Sequence, residues 1–170
     1  MCFGDNGLVI SGHRDLADGD DLIIRKGMAD FIGYNEFDYI MFGGARGTDT
    51  YALAAALDLR TSAKKVPMLI VVVPNTLAAQ PRETWDISRR ADRIIELGHE
   101  ITPSDKFWAL RHRNEFMIDW VFPLGRLLAF WNGEKSGTAN AVYYAKDYIE
   151  VSTRTIKGRT VQAPWTPMRT

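Results

Sequence analysis

Gly43, Gly44, Ala45, Arg46, Gly47, Thr48 and Asp49 form a continuous stretch whose residue types suit an anion. It directly follows the apolar run Tyr39-Ile40-Met41-Phe42 and directly precedes the Ala-rich stretch from Tyr51 to Leu59. That order reads as strand, glycine turn, helix. Glycines let the backbone approach a ligand closely. The free N–H groups and positive dipole end of the new helix then favour an anionic group, most often phosphate. The stretch lacks the Gly-Lys-Ser/Thr ending of a P-loop and is not Gly-x-Gly-x-x-Gly. The same glycines also suit a bare tight turn between a strand and a helix.

Each residue of this stretch has a bland role beside a chemical one. Arg46 reaches a phosphate, or stands as an exposed loop arginine. Thr48 caps the helix and offers a hydroxyl to a phosphate. Asp49 suits the first turn through the helix dipole alone, or serves as a catalytic carboxylate. Three other segments offer similar pairs of readings. Ser11, Gly12, His13 and Arg14 follow the apolar run Leu8-Val9-Ile10, as a surface turn or a base and phosphate contact. Arg113 and Met117 are four apart and share a helix face with Trp120. An arginine on an otherwise apolar face requires an anionic partner, either a ligand or an internal carboxylate. Arg111 and Glu115 have the spacing of a surface ion pair. Gly137-Thr138 opens a helix after a polar loop, as a second anion site or an ordinary cap. Trp131 and Trp108 suit stacking on a base, or a core or subunit contact.

Composition narrows the function classes. The chain has 170 residues, 46% of them hydrophobic and 25% charged. That predicts one domain with a real core, placed at residues 1–156 with a loosely held tail over 157–170. Lys+Arg and Asp+Glu both number 21, so the net charge is zero, which argues against a general polyanion binder. A local basic face stays open, because residues 146–170 hold five bases against two acids. The one cysteine, Cys2, excludes an internal disulfide framework and points to a cytoplasmic setting. His13, His99 and His112 have no metal-ligand spacing, so neither a metal nor a cofactor is expected. The apolar run from Val66 to Pro74 is too short to span a bilayer, and no secretory signal is visible.

The elements that must position these residues alternate in type. Strands are expected at Leu8–Gly12, Phe37–Phe42, Met68–Val73, Arg126–Trp131 and Ile149–Thr153. Arg93–Leu97 is either a strand or the end of a mixed helical stretch over 76–92. Helices are expected at Asp18–Gly33, Thr48–Leu59, Asp105–Trp120 with Ser104 as cap, and Thr138–Tyr148. Alternation predicts a Rossmann-like α/β fold, a mostly parallel sheet with helices on both faces. Ligands then sit beyond the carboxyl ends of the strands. Four segments converge there: Ser11–Arg14, the glycine turn, Pro74-Asn75, and Trp131–Thr138.

With those pieces in place, the chain resembles a known superfamily. It joins the DNA-processing protein A (Smf) with the cytokinin-activating "lonely guy" phosphoribohydrolases (SLOG). Within it, the chain looks most like small bacterial and phage proteins of the YspA-like branch. The resemblance covers roughly residues 7–150. It rests on Val9–Arg14, on Gly43–Asp49, on Arg113-Asn114-Glu115-Phe116-Met117 as an Arg-(Asn/Lys)-x-x-Met segment, and on Phe130-Trp131 with Gly137-Thr138. It implies a nucleotide or nucleotide-sugar pocket and dimeric assembly. In the phosphoribohydrolases, a Pro-Gly-Gly-x-Gly-Thr-x-x-Glu segment supplies phosphate-binding amides and a glutamate. That glutamate and the segment's arginine support cleavage of an N-glycosidic bond. Here Arg113, Gly137 and Thr138 match. Gly133-Glu134-Lys135-Ser136 replaces the Pro-Gly-Gly, and Ala141 stands at the glutamate position. The expectation is therefore binding of an ADP-ribose-like molecule or nucleoside monophosphate through two helix N-termini. The alternatives are an N-glycoside hydrolase, with Arg113, Glu115 and Asp49 as its catalytic candidates, and a DNA-binding module, which zero net charge disfavours.

Overall fold

A computed structural model of the chain describes residues 5–62, 65–100 and 102–158. Cys2 and the tail after Gly158 lie outside those residues. Six strands form one sheet: β1 (Gly7–Gly12), β2 (Tyr39–Phe42), β3 (Met68–Val73), β4 (Arg93–Glu96), β5 (Arg126–Trp131) and β6 (Glu150–Thr155). Their order is β4-β3-β2-β1-β5-β6, and every pairing is parallel. The helices are α1 (Asp20–Tyr34), α2 (Thr48–Leu59), a single turn α3 (Trp85–Ser88), α4 (Lys106–Val121) and α5 (Gly137–Ala145). This is an α/β Rossmann-like architecture, and its sheet is wholly parallel rather than mostly so.

Side-chain alternation along the strands splits the interior in two. Leu8, Ile10, Ile40, Phe42, Val71 and Phe130 face α1 and α2. Val9, Met41, Ile70, Val72, Leu127 and Ala129 face α4 and α5. Burial on both sides explains why β3 reads as an unbroken apolar run. Each fully buried aliphatic side chain of this kind contributes about 1.5–3 kcal/mol.

One open reading is settled and two local expectations are corrected. Arg93–Glu96 is the strand alternative, edge-paired to β3, and residues 76–92 are mixed, with two short 3-10 turns and α3. The residue ahead of α4 is Asp105, not Ser104, and it makes no side-chain cap. Ser104 instead bonds Thr102 at 2.8 Å. Helix α5 starts at Gly137 because the Ser136 hydroxyl accepts the amide of Ala139 at 3.2 Å, and the chain leaves the helix at Ala145. No helix among the described residues is long and apolar enough to cross a membrane.

The order reverses at β1. From β1 the chain builds outward through β2, β3 and β4, then returns to lay β5 on β1's other side. Ligands of such sheets sit beyond the carboxyl ends of the strands at that reversal.

Candidate site at the sheet reversal

The turns after β1 and β5 meet at the reversal. The Asn132 amide donates to His13 Nε2 at 3.2 Å. Burial lowers the His13 pKa below its ordinary value, against the raising influence of Asn132, Glu134 and Asp20. Nε2 accepts this bond through its lone pair. Glu134 lies in the same turn: its amide donates to Asn132 Oδ1 at 3.0 Å and its carbonyl accepts the Trp131 indole N–H at 2.7 Å. A Cβ at Gly137, the first residue of α5, would meet nothing within 4 Å. Gly137 is exposed at the start of α5. Thr138 behind it is buried.

The glycine turn is built differently. Its helix start is closed by the chain's own backbone. The His13 carbonyl accepts both the amide and the hydroxyl of Thr48, each at 3.0 Å. Gly12 and Gly47 make that approach possible. A Cβ at Gly12 would overlap the Thr48 side chain, and one at Gly47 would overlap the Arg14 carbonyl. Gly47 also holds φ at +80°, open to glycine without strain. The turn is then pinned from inside. Asp49 is buried and its carboxylate accepts the Ala45 amide at 3.1 Å. Burial pushes the Asp49 carboxyl above its ordinary value, opposed by Arg113, the nearby turn amides and Arg14.

Arg113 completes this scaffold from α4. It is buried, and its three donor nitrogens are used. Nη1 donates to the Gly43 carbonyl at 2.7 Å, while Nε and Nη2 donate to Asn114 Oδ1 at 3.2 and 2.9 Å. A Cβ at Gly43 would lie 2.6 Å from the guanidinium carbon, so glycine is required for this contact. Burial brings the Arg113 pKa down to about 10, with Asp49 raising it and Arg14 lowering it further. Of the two ligands weighed for this arginine, anion or internal carboxylate, the side chain has an internal carboxylate as its electrostatic neighbour. Glu115 accepts from Arg111 Nε at 2.9 Å, one helical turn away. Neither Asp49 nor Glu115 is thus without a protein partner.

Two arginines remain at the mouth. Arg46 donates to Asp15 at 2.9 Å and is half-exposed. Arg14 makes no hydrogen bond or ion pair among the described residues, and its pKa is lowered first by desolvation and then by Arg46, against Asp49 and Asp15. Ser11 is buried beneath them. The expected residues of the β1 turn, the glycine turn and the α5 start are therefore brought to one edge, while Arg113 and Asn114 support that edge from below.

Asp20 is a site-forming residue that the sequence hides. It is fully buried, and its two carboxylate oxygens accept the amides of Lys157 and Gly158 at 2.8 and 2.9 Å. It also accepts the Ala17 amide at 2.8 Å. The segment after β6 is thus clamped beside His13 and Asn132, whose side-chain amide donates to the Lys157 carbonyl at 3.4 Å. In sequence Asp20 is an ordinary acid at a helix start, and its partners lie 137 and 138 residues away. A cavity of 240 Å³ lined by Ile32, Tyr34, Asn35 and Glu36 lies at the opposite, amino edge of the sheet.

Fold and site together define the class, a wholly parallel Rossmann-like domain with a polar, arginine-bearing edge at its reversal. No family model matches the chain, and no curated protein matches it. Among solved structures, it is similar to DNA processing protein A from Streptococcus pneumoniae, with a TM-score of 0.56 and 13% sequence identity. The match covers 88% of this chain and 59% of that one. The chain therefore spans less than two thirds of that protein's length, and the likeness is one of fold.

Proposed function

We propose that the chain binds a nucleotide-derived ligand, a nucleoside monophosphate or an ADP-ribose-like molecule, at the carboxyl edge of the sheet. The observation that carries this reading is Arg14. It is an exposed arginine with no hydrogen-bonding or ion-pair partner among the described residues, placed at the strand-order reversal beside Arg46. Its guanidinium keeps its donors for an anionic ligand oxygen, which it can meet with charge-assisted hydrogen bonds. The exposed start of α5 at Gly137 offers a further backbone donor for phosphate. The α2 start contributes less than the sequence suggests, since the amides of Ala45 and Thr48 already have protein acceptors.

Binding without turnover is the favoured form of this reading. Ala141 replaces the glutamate expected from the resemblance, and Asp49 and Glu115 are engaged elsewhere. Groups that hold phosphate equally before and during bond cleavage do not accelerate it. If the chain is an enzyme, it is a nucleotide N-glycosidase. The likeness in fold to a DNA-processing protein favours a second reading, a DNA-binding module, opposed by the zero net charge. Calorimetry with AMP, ADP-ribose and a single-stranded oligonucleotide separates them. Saturable binding of the small nucleotides supports the first reading. Binding confined to the oligonucleotide, weakening steeply with salt, supports the second.

A further inference from the structure

Three rings form a fixed cluster at the carboxyl edge, apart from the arginines. Trp108 and His112 lie in parallel planes, 6° apart, with centroids separated by 5.1 Å. His99 meets both edge-on, at 5.0 Å from Trp108 and 4.7 Å from His112. Its Nε2 shares a hydrogen bond of 2.7 Å with His112 Nδ1. Two backbone ties place the cluster. The His99 amide donates to the Pro74 carbonyl at 2.9 Å, which fixes it at the end of β3. His112 adjoins Arg113 in the chain, and Arg113 holds the Gly43 carbonyl at the end of β2. The rings therefore flank the glycine turn on its α4 side.

Trp108 is nevertheless 57% exposed. An indole that served only to fill the core would be covered. This one is held in orientation by two histidines and keeps open aromatic surface. We propose that Trp108, backed by His112, is the stacking platform for the base of the ligand; this rests on the nucleotide-binding reading and adds to it the recognition of the base. Every base has a π-face, so the platform accepts any of them and favours the larger purines. The base lies against Trp108 while the phosphate faces Arg14 and Arg46. Trp108 is a binding residue in this arrangement and takes no part in bond cleavage.

Calorimetry of the wild-type chain, Trp108→Ala and Trp108→Phe tests this, with AMP and ribose 5-phosphate as probes. Ribose 5-phosphate carries the phosphate and sugar without a base. The platform predicts that Trp108→Ala raises the AMP dissociation constant roughly 5- to 100-fold. It predicts unchanged ribose 5-phosphate binding, and AMP binding by Trp108→Phe that stays close to wild type. Equal AMP affinity in wild type and Trp108→Ala overturns the platform and leaves nucleotide binding intact. Equal weakening of both probes overturns it as well, since the residue would then act only through the fold. Failure of the wild-type chain to bind either probe overturns the nucleotide reading itself, and the platform with it.

Discussion

Arg113 Nη1 donates to the Gly43 carbonyl at 2.7 Å, joining two residues that lie 70 apart in sequence. The contact makes the arginine the support of the glycine turn. Its charge sits in the interior with Asp49 as electrostatic counterpart, and burial opposes the charged form of both. Asp49→Ala strips the Ala45 amide of its acceptor and takes away the carboxylate nearest in effect to the buried Arg113. It is expected to destabilise the chain by about 1–3 kcal/mol. Urea unfolding measures this, and a loss under about 1 kcal/mol contradicts the assigned role.

His13 supplies a pH dependence whose sign follows from its geometry. Its folded pKa lies below the ordinary 6.5, chiefly through burial. The unfolded chain therefore binds the proton more readily. The stability that His13 contributes is fully present above pH 6.5 and is lost as pH falls from 6.5 toward the folded value. Thermal midpoints of the wild type should fall over that range. His13→Gln, which keeps an acceptor without the titration, should flatten that part of the curve. Parallel curves would show that His13 does not titrate as described.

The apolar surface left on the α4 and α5 side predicts self-association. Trp120, Phe122, Leu124 and Tyr148 are exposed, and Phe122 and Tyr148 pack edge-on against each other with centroids 6.1 Å apart. We expect a homodimer across this end of α4, away from Trp108. Light scattering at micromolar concentration should give twice the monomer mass, and Phe122→Glu should return the monomer. A monomer in the wild type rules this assembly out.

Base release should be slow or absent. Chromatography of nucleoside monophosphates and ADP-ribose incubated with the chain should recover them intact. Free base formed at about 1 per second or faster would reverse this reading. Its loss in Glu115→Gln or Asp49→Asn would then name the carboxylate responsible.

Much of the fold was legible because local signals and burial agree. β3 runs from Met68 to Val73 and α2 from Thr48 to Leu59, as the apolar run and glycine turn predict. The strand alternation also predicted which residues meet at the carboxyl edge. What sequence could not reveal was direction of use. The spacing of Arg113 and Met117 gave the arginine a face, but Gly43 as its partner arises only from the sheet order. Thr48 reads as a phosphate donor until the His13 carbonyl is seen to take its hydroxyl. Asp20 carries no local sign of its bonds to Lys157 and Gly158. Long-range tertiary contacts decided each of these, and a pattern of period 2 or 3.6 does not encode them.

Calorimetric titration of AMP into the wild-type chain and Arg14→Ala tests the central claim most directly. Saturable binding by the wild type, weakened by about 1.5–3 kcal/mol in the variant, is the predicted result for a charged donor facing an anionic oxygen. Absence of AMP binding by the wild type, or equal affinity in the two chains, would contradict the assignment of the sheet reversal as a nucleotide site.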